Sequence, residues 1–194
     1  MSDPISRTVH NDAPITAAKK PAKSAAAQAG IDAPDRYELI GRTVTINRSP
    51  EELYAFWRNF ANLACFMENI QSVTVVDATR SHWVVSAPAG KSVEWDSIIE
   101  EDVPNERISW RSTEGSGIQH GGRVEFRPAH GGRGTEVSAV IAYDPPAGAL
   151  GKVIAKLFQK EPRIQARRDL RRFKQLMETG EIATAHPPEA APRA

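Results

Sequence analysis

The stretch that decides the fold is SPEELYAFWRNFANLACFMENIQSV, residues 49–73. Ser49 is a typical helix N-cap, Pro50 suits the first helical position, and Glu52 stands three residues after the cap. Large apolar side chains follow at helical spacing: Leu53, Phe56, Trp57 and Phe60. These features predict an amphipathic helix, and Asn62 is expected to start a second short helix that runs through Phe66.

Around this helical segment the chain alternates between apolar and polar residues in the way strands do. One strand is predicted before it, over 39–47. Six are predicted after it, over 70–78, 82–88, 92–103, 106–113, 121–129 and 135–146. Short turn-like breaks join the six and indicate an antiparallel meander. A long amphipathic helix over 147–178, interrupted by Pro162, is expected to close the domain.

This order of elements predicts an α+β domain over 37–182, in which one long helix covers one face of a curved, seven-stranded antiparallel sheet. A cavity between helix and sheet is expected where inward side chains leave space. The tails 1–36 and 183–194 contain almost no large apolar side chains, so we expect both to be disordered.

Composition excludes several classes of function. The 194 residues carry a net charge of +1, which gives no general basis for nucleic-acid binding. The single cysteine excludes an internal disulfide, and the five histidines lie far apart in the chain, so we expect no metal. A His–carboxylate site assembled in space is the alternative, and no cofactor is expected. No signal-peptide core or membrane span is evident, and the cytoplasm is the expected compartment.

The hairpin VEWDSIIEEDVPNERISWRS, residues 93–112, combines six carboxylates with two tryptophans. A two-residue loop at 104–105 would place Trp95 and Trp110 inward, with Glu101 on the same face. Asp102 would then stand outward, directly opposite Arg107. Most of these carboxylates are therefore interpreted as an outer charge ladder rather than a catalytic group.

The last hairpin offers the candidates for polar chemistry. If Arg127 faces Glu136, then His120 faces Tyr143 and both point inward, where they could hold a polar head group. The alternative is an exposed histidine at a strand end, which we favour because histidine is usually only partly buried. By alternation along its strand, the side chain of Arg42 is expected to point inward, and it is a third candidate for polar chemistry.

The run KEPRIQARRDLRRFK, residues 160–174, is strongly basic. It is interpreted as the solvated face of the closing helix. The alternative is peripheral contact with an anionic membrane through this basic helix.

Residues 49–73, the 93–112 hairpin, GRVEFRPAHGGRGTEV and the closing helix together resemble the polyketide cyclase/dehydrase and lipid-transport family. That family belongs to the START-like, Bet v 1-like (SRPBCC) superfamily with the helix-grip fold. The chain is similar in particular to coenzyme-Q-binding START-like domains of bacteria. The resemblance implies a helix-grip domain with an internal apolar cavity, and no shared set of catalytic residues.

The hypothesis that follows is binding or transport of a lipid, quinone, isoprenoid or polyketide between the sheet and the closing helix. Its expected ligand-binding residues are Phe56, Phe66, Trp83, Trp95, Trp110, His120, Phe126, Tyr143 and Leu157. A cyclase or dehydratase is the second hypothesis, ranked lower because few acid or base groups point inward. A ligand-free interaction or stress-response module is the third.

Overall fold

The computed structural model describes residues 38–87, 90–116, 118–144 and 162–183. The strands are β1 Glu38–Ile46, β2 Ile70–Val75, β3 Arg80–Ala87, β4 Lys91–Val103, β5 Arg107–Ser112, β6 Gln119–Pro128 and β7 Thr135–Asp144. The helices are α1 Pro50–Arg58, a 3₁₀ helix Phe60–Cys65 and α2 Pro162–Thr179, with a 3₁₀ turn at His130–Gly132. The predicted N-terminal tail, the first half of the predicted closing helix and most of the predicted C-terminal tail lie outside these ranges.

The seven strands form one antiparallel sheet in the order β1-β7-β6-β5-β4-β3-β2. The six later strands follow one another as a meander, and β1 adds beside β7 to complete the sheet. The sheet curls around the helices, so the predicted α+β, helix-grip architecture is confirmed. We call the sheet face that meets α1 and the 3₁₀ helix the inner face, and the opposite one the outer face.

Helix α1 begins with the predicted capping box. The Ser49 hydroxyl accepts a hydrogen bond from the Glu52 backbone N–H, and the Glu52 carboxylate accepts one from the Ser49 N–H. The second helix differs from the expectation, because the 3₁₀ helix already begins at Phe60. Asn62 lies within it, and its side-chain amide donates to the backbone carbonyl of Phe56.

The register of the last hairpin agrees with the prediction: Arg127 faces Glu136, and His120 faces Tyr143. The β4–β5 hairpin agrees only in part. Ile99 faces Trp110 as predicted, but Glu101 faces Ser109 because a β-bulge interrupts the register between Ile99 and Glu101.

This bulge reverses the facing of the strand end and corrects two assignments. Glu101 points outward, where it bonds Arg107 and Arg123 at 2.7 and 3.3 Å. Asp102 now lies opposite the buried Ile108, on the inner face rather than opposite Arg107. There it accepts hydrogen bonds from Tyr54 Oη at 2.5 Å and from Arg58 Nε at 2.6 Å.

The outer face of β4, β5 and β6 carries a network of ion pairs, of which the sequence predicted a ladder between β4 and β5. Arg111 bonds Glu100 at 2.6 Å, and Glu125 accepts from both Arg123 and Arg127. These exposed and half-exposed charges are typical of a solvated sheet surface, where each pair contributes about 0–1 kcal/mol. No catalytic role is needed to explain them.

Candidate functional site

Three tryptophan side chains lie almost parallel on the inner face. The indole of Trp83 is stacked at 15° to those of both Trp95 and Trp110, with ring centroids 6.0 and 6.3 Å away. Phe60 of the 3₁₀ helix meets Trp83 and Trp110 edge to face. All four side chains are buried, so the sheet presents a continuous aromatic wall to the helices.

Serine side chains anchor two of the indoles. Trp83 Nε1 donates to Ser81 Oγ at 2.8 Å, and Trp95 Nε1 donates to Ser97 Oγ at 3.1 Å. Each serine precedes or follows its tryptophan by two residues and therefore shares its face of the strand. The hydrogen bonds satisfy two buried N–H groups and fix the planes of both rings.

His120 lies at one end of this wall and is buried, with 8% of its surface exposed. Its imidazole centroid is 5.3 Å from the ring of Trp95 and 6.1 Å from that of Trp83. The favoured interpretation, an exposed histidine at a strand end, was therefore wrong. Burial among the indoles lowers the pKa of His120 from 6.5 to about 4, because water no longer stabilises the charged form.

The Nδ1 atom of this imidazole is buried without a hydrogen-bond partner. The backbone N–H of His120 donates to Ser112 Oγ at 3.1 Å. Buried polar atoms in native proteins nearly always have a partner, so this one requires an explanation.

A second part of the core is closely packed and lies under α2. Phe173 of that helix contacts Trp57 at 5.1 Å and Phe66 at 4.8 Å between ring centroids. Trp57 also meets Phe126 edge to face. Phe66 and Phe126, both predicted to bind ligand, therefore pack against other side chains of the chain itself. Phe56 is half-buried and lies beside Phe173.

The predicted binding residues thus fall into separate places. The structure brings Trp83, Trp95, Trp110 and His120 together, with Phe60 as an unpredicted neighbour. The backbone of Tyr143 lies opposite His120, but its side chain lies outside the description. Leu157 falls outside the described residues altogether.

Two other inward polar groups bear on the site. Arg42 is buried in the middle of β1, and its Nη1 donates to the carbonyl of Gly41 at 2.7 Å. The serines were missed by the sequence analysis. The sequence did contain a signal for these serines. Each of Ser81, Ser97 and Ser112 lies two residues from a tryptophan, so serine and tryptophan share the inward-facing side of the strand.

The closing helix carries a half-buried carboxylate, Asp169, whose ionisation is also perturbed. Asp169 Oδ1 accepts hydrogen bonds from the Glu68 backbone N–H at 3.3 Å and from Gln165 Nε2 at 2.9 Å. Burial raises the pKa of Asp169 from 3.8 to about 6. Arg168 and Arg172 reach Glu68 at 3.3 and 3.8 Å, so part of the basic run ties α2 to the turn before β2.

The curled sheet, the helices on its inner face and the aromatic wall define a helix-grip domain. The chain belongs to the polyketide cyclase / dehydrase and lipid transport family, whose model matches residues 46–171. In the described ranges, no helix has the length and apolar character needed to cross a bilayer.

The chain is also similar to individual proteins and solved structures. An uncharacterized 17.2 kDa protein of Streptomyces lincolnensis, from the melC2-rnhH intergenic region, is 32% identical over 126 residues, which cover 64% of this chain and 79% of that protein. The crystal structure of DR_A0006 from Deinococcus radiodurans has 40% identity and a TM-score of 0.61, covering 74% of this chain and all of that one. TTHA0849 from Thermus thermophilus has 27% identity and a TM-score of 0.56, over 72% and 94% of the two chains.

Proposed function

We propose that this protein binds a hydrophobic small molecule, such as a quinone, isoprenoid, lipid or polyketide, against the aromatic wall of the inner face. The observation that carries the proposal is the Nδ1 atom of His120. It is buried next to the rings of Trp83 and Trp95 and has no hydrogen-bond partner. A polar atom held in aromatic surroundings suits a ligand that is apolar over most of its surface and polar at one point. The family assignment supports the same class of ligand.

The energetics favour binding at this wall. Apolar surface transferred from water to the rings contributes about 25 cal/mol per Å², before the cost of association. Stacking on indoles adds to this for a flat ligand. The hydrogen bond to His120 contributes orientation and a modest part of the affinity, because the ligand gives up a hydrogen bond to water in order to make it.

A cyclase or dehydratase is the second candidate, and His120 is the observation that bears on it. With a pKa of about 4, His120 is neutral at pH 7 and is a weak base. It can bind and orient a carbonyl or hydroxyl group, but it has little driving force to remove a proton from carbon. Binding therefore remains the better-supported function.

The test is ligand retention by the full chain. Native mass spectrometry and solvent extraction of the purified protein are expected to find an apolar molecule, or uptake of an added one at a single site. The variant Trp95→Ala should weaken uptake, whereas Val76→Ala, at an exposed residue after β2, should not. A protein that neither retains nor takes up any apolar molecule would contradict the proposal.

A further inference from the structure

Four of the buried polar residues form one row across the inner face. Ser81 faces Ser97, and Ser97 faces Ser112, on three adjacent strands. The next member is His120, whose backbone N–H donates to Ser112 Oγ. All four are buried, although the wall beside them is aromatic. A polar row across an apolar surface is costly unless its groups are satisfied.

The serine oxygens in this row already act as acceptors. They receive the indole N–H groups of Trp83 and Trp95 and the backbone N–H of His120. A serine hydroxyl has one proton to donate in addition. None of the three hydroxyls donates to another residue in the described part of the chain, so Ser112 offers a donor beside His120.

The groups that the described residues bring against His120 are uncharged. Its ring contacts are Trp83 and Trp95, and its hydrogen-bond partner is Ser112. Burying an ionised carboxylate among such groups would cost several kcal/mol without a cation to pair with it. A neutral oxygen has no such cost, and it can accept from a hydroxyl or exchange a hydrogen bond with a neutral imidazole.

We infer that His120 and Ser112 form a polar subsite that selects ligands by a neutral oxygen group, a carbonyl or hydroxyl on an otherwise flat apolar molecule. The inference rests on the proposed function and specifies the ligand class of the same site. The subsite binds such a group without taking up a proton. It discriminates against both the bare hydrocarbon and the carboxylate of the same shape.

The experiment uses four probes of one ring system: naphthalene, 2-naphthol, 2-acetylnaphthalene and 2-naphthoate. Isothermal titration calorimetry at pH 7, in two buffers of different ionisation enthalpy, gives the affinity and the number of protons taken up. We expect the two neutral oxygenated probes to bind roughly two- to tenfold more tightly than naphthalene. We also expect no proton uptake with them, and 2-naphthoate to bind more weakly than either.

Variants separate the subsite from the wall. In His120→Phe the preference for an oxygenated probe over naphthalene should fall to about one, while naphthalene itself still binds. His120→Gln, which keeps a neutral hydrogen-bonding group, should retain part of the preference and guards against a folding defect in the first variant. The matched control is His82→Phe, because His82 lies on the outer face, paired with Asp96.

The outcomes are distinct. If all probes bind equally, or if His120→Phe keeps the wild-type preference, the subsite is refuted while the proposed binding function stands. Tightest binding of 2-naphthoate with proton uptake would also refute it, since the selected group would then be an anion. If none of the probes binds, the subsite is refuted, and the proposed function falls with it only if the purified protein also retains and takes up no other apolar molecule.

Discussion

The indole of Trp110 lies flat against Gly122 on the neighbouring strand. A Cβ atom on that glycine would stand 2.3 Å from Cζ2 and 2.7 Å from Cε2 of the indole. The two residues are paired in the β5–β6 register, so the ring fills the space that a side chain on β6 would occupy. The position of this indole therefore depends on the absence of a side chain on the adjacent strand.

Gly122→Ala should displace Trp110 and destabilise the fold. Overpacking of this kind typically costs about 1–3 kcal/mol, measured as the change in free energy of unfolding by urea titration. Gly121→Ala is the matched control, because its nearest contact would be Trp110 O at 3.2 Å, which small shifts can relieve. Equal losses in the two variants would show that the ring contact is not the cause.

The inward position of Asp102 gives a second prediction. Asp102→Ala removes the acceptor of both Tyr54 and Arg58 and should lower the free energy of unfolding by about 1–2 kcal/mol. Glu94→Ala, an exposed carboxylate of the same strand on the outer face, should change it by less than about 0.5 kcal/mol. A similar small effect of both would place Asp102 on the outer face after all.

His120 should make the protein less stable as the pH falls. Because its pKa is about 4 when folded and 6.5 otherwise, the unfolded chain binds a proton between these values and the folded one does not. The stability that this group confers is complete above pH 6.5 and is lost progressively toward pH 4, by about 3 kcal/mol at most. In His120→Phe, this part of the pH dependence should disappear from the free energy of unfolding measured by denaturation between pH 4 and 7. This holds however much the substitution itself changes the stability at pH 7.

Asp169 should act in the opposite direction. Its pKa is raised from 3.8 to about 6, so here the folded protein binds the proton that the unfolded chain releases. Stability from this group is therefore greatest below pH 3.8 and is lost as the pH rises through 6.

Asp169→Asn keeps an acceptor for the Glu68 N–H and Gln165 without the half-buried charge. We expect this variant to raise the free energy of unfolding at pH 7 by about 1–3 kcal/mol. At pH 4 the free energy of unfolding should be nearly unchanged. A gain at pH 4 as large as at pH 7 would contradict the assignment. Wild type combines both groups, so its net slope over pH 4–6 should be smaller than that of either variant.

The meander of six strands and the register of the last hairpin could be predicted because they depend on local alternation and short turns. The β4–β5 hairpin could not be predicted fully from alternation. Asn105 adopts a positive φ of 64°, and the loop and the bulge together shift the end of β4 by one residue. Such a shift moves every later side chain to the opposite face, which is why Asp102 and Glu101 were exchanged.

The site was predicted in part for the same reason. Alternation places Trp83, Trp95 and Trp110 inward, but it does not say how their rings lie. The stacking depends on Ser81, Ser97 and Gly122, which carry no strong pattern of their own. The burial of His120 depends on which side chains surround it in space, and average exposure of histidine is a poor guide there.

The stack centred on Trp83 also determines how the protein interacts with light. The indole of Trp83 lies about 6 Å from those of Trp95 and Trp110, at 15° to each, and rings this close couple their excited states, so their near-ultraviolet absorption and circular dichroism are expected to be shared through Trp83. Excitation absorbed by one ring is shared with its neighbours before emission. A bound molecule that quenches the fluorescence of one of these indoles should therefore reduce the emission of all three. Binding can then be followed through the intrinsic fluorescence of the unlabelled protein.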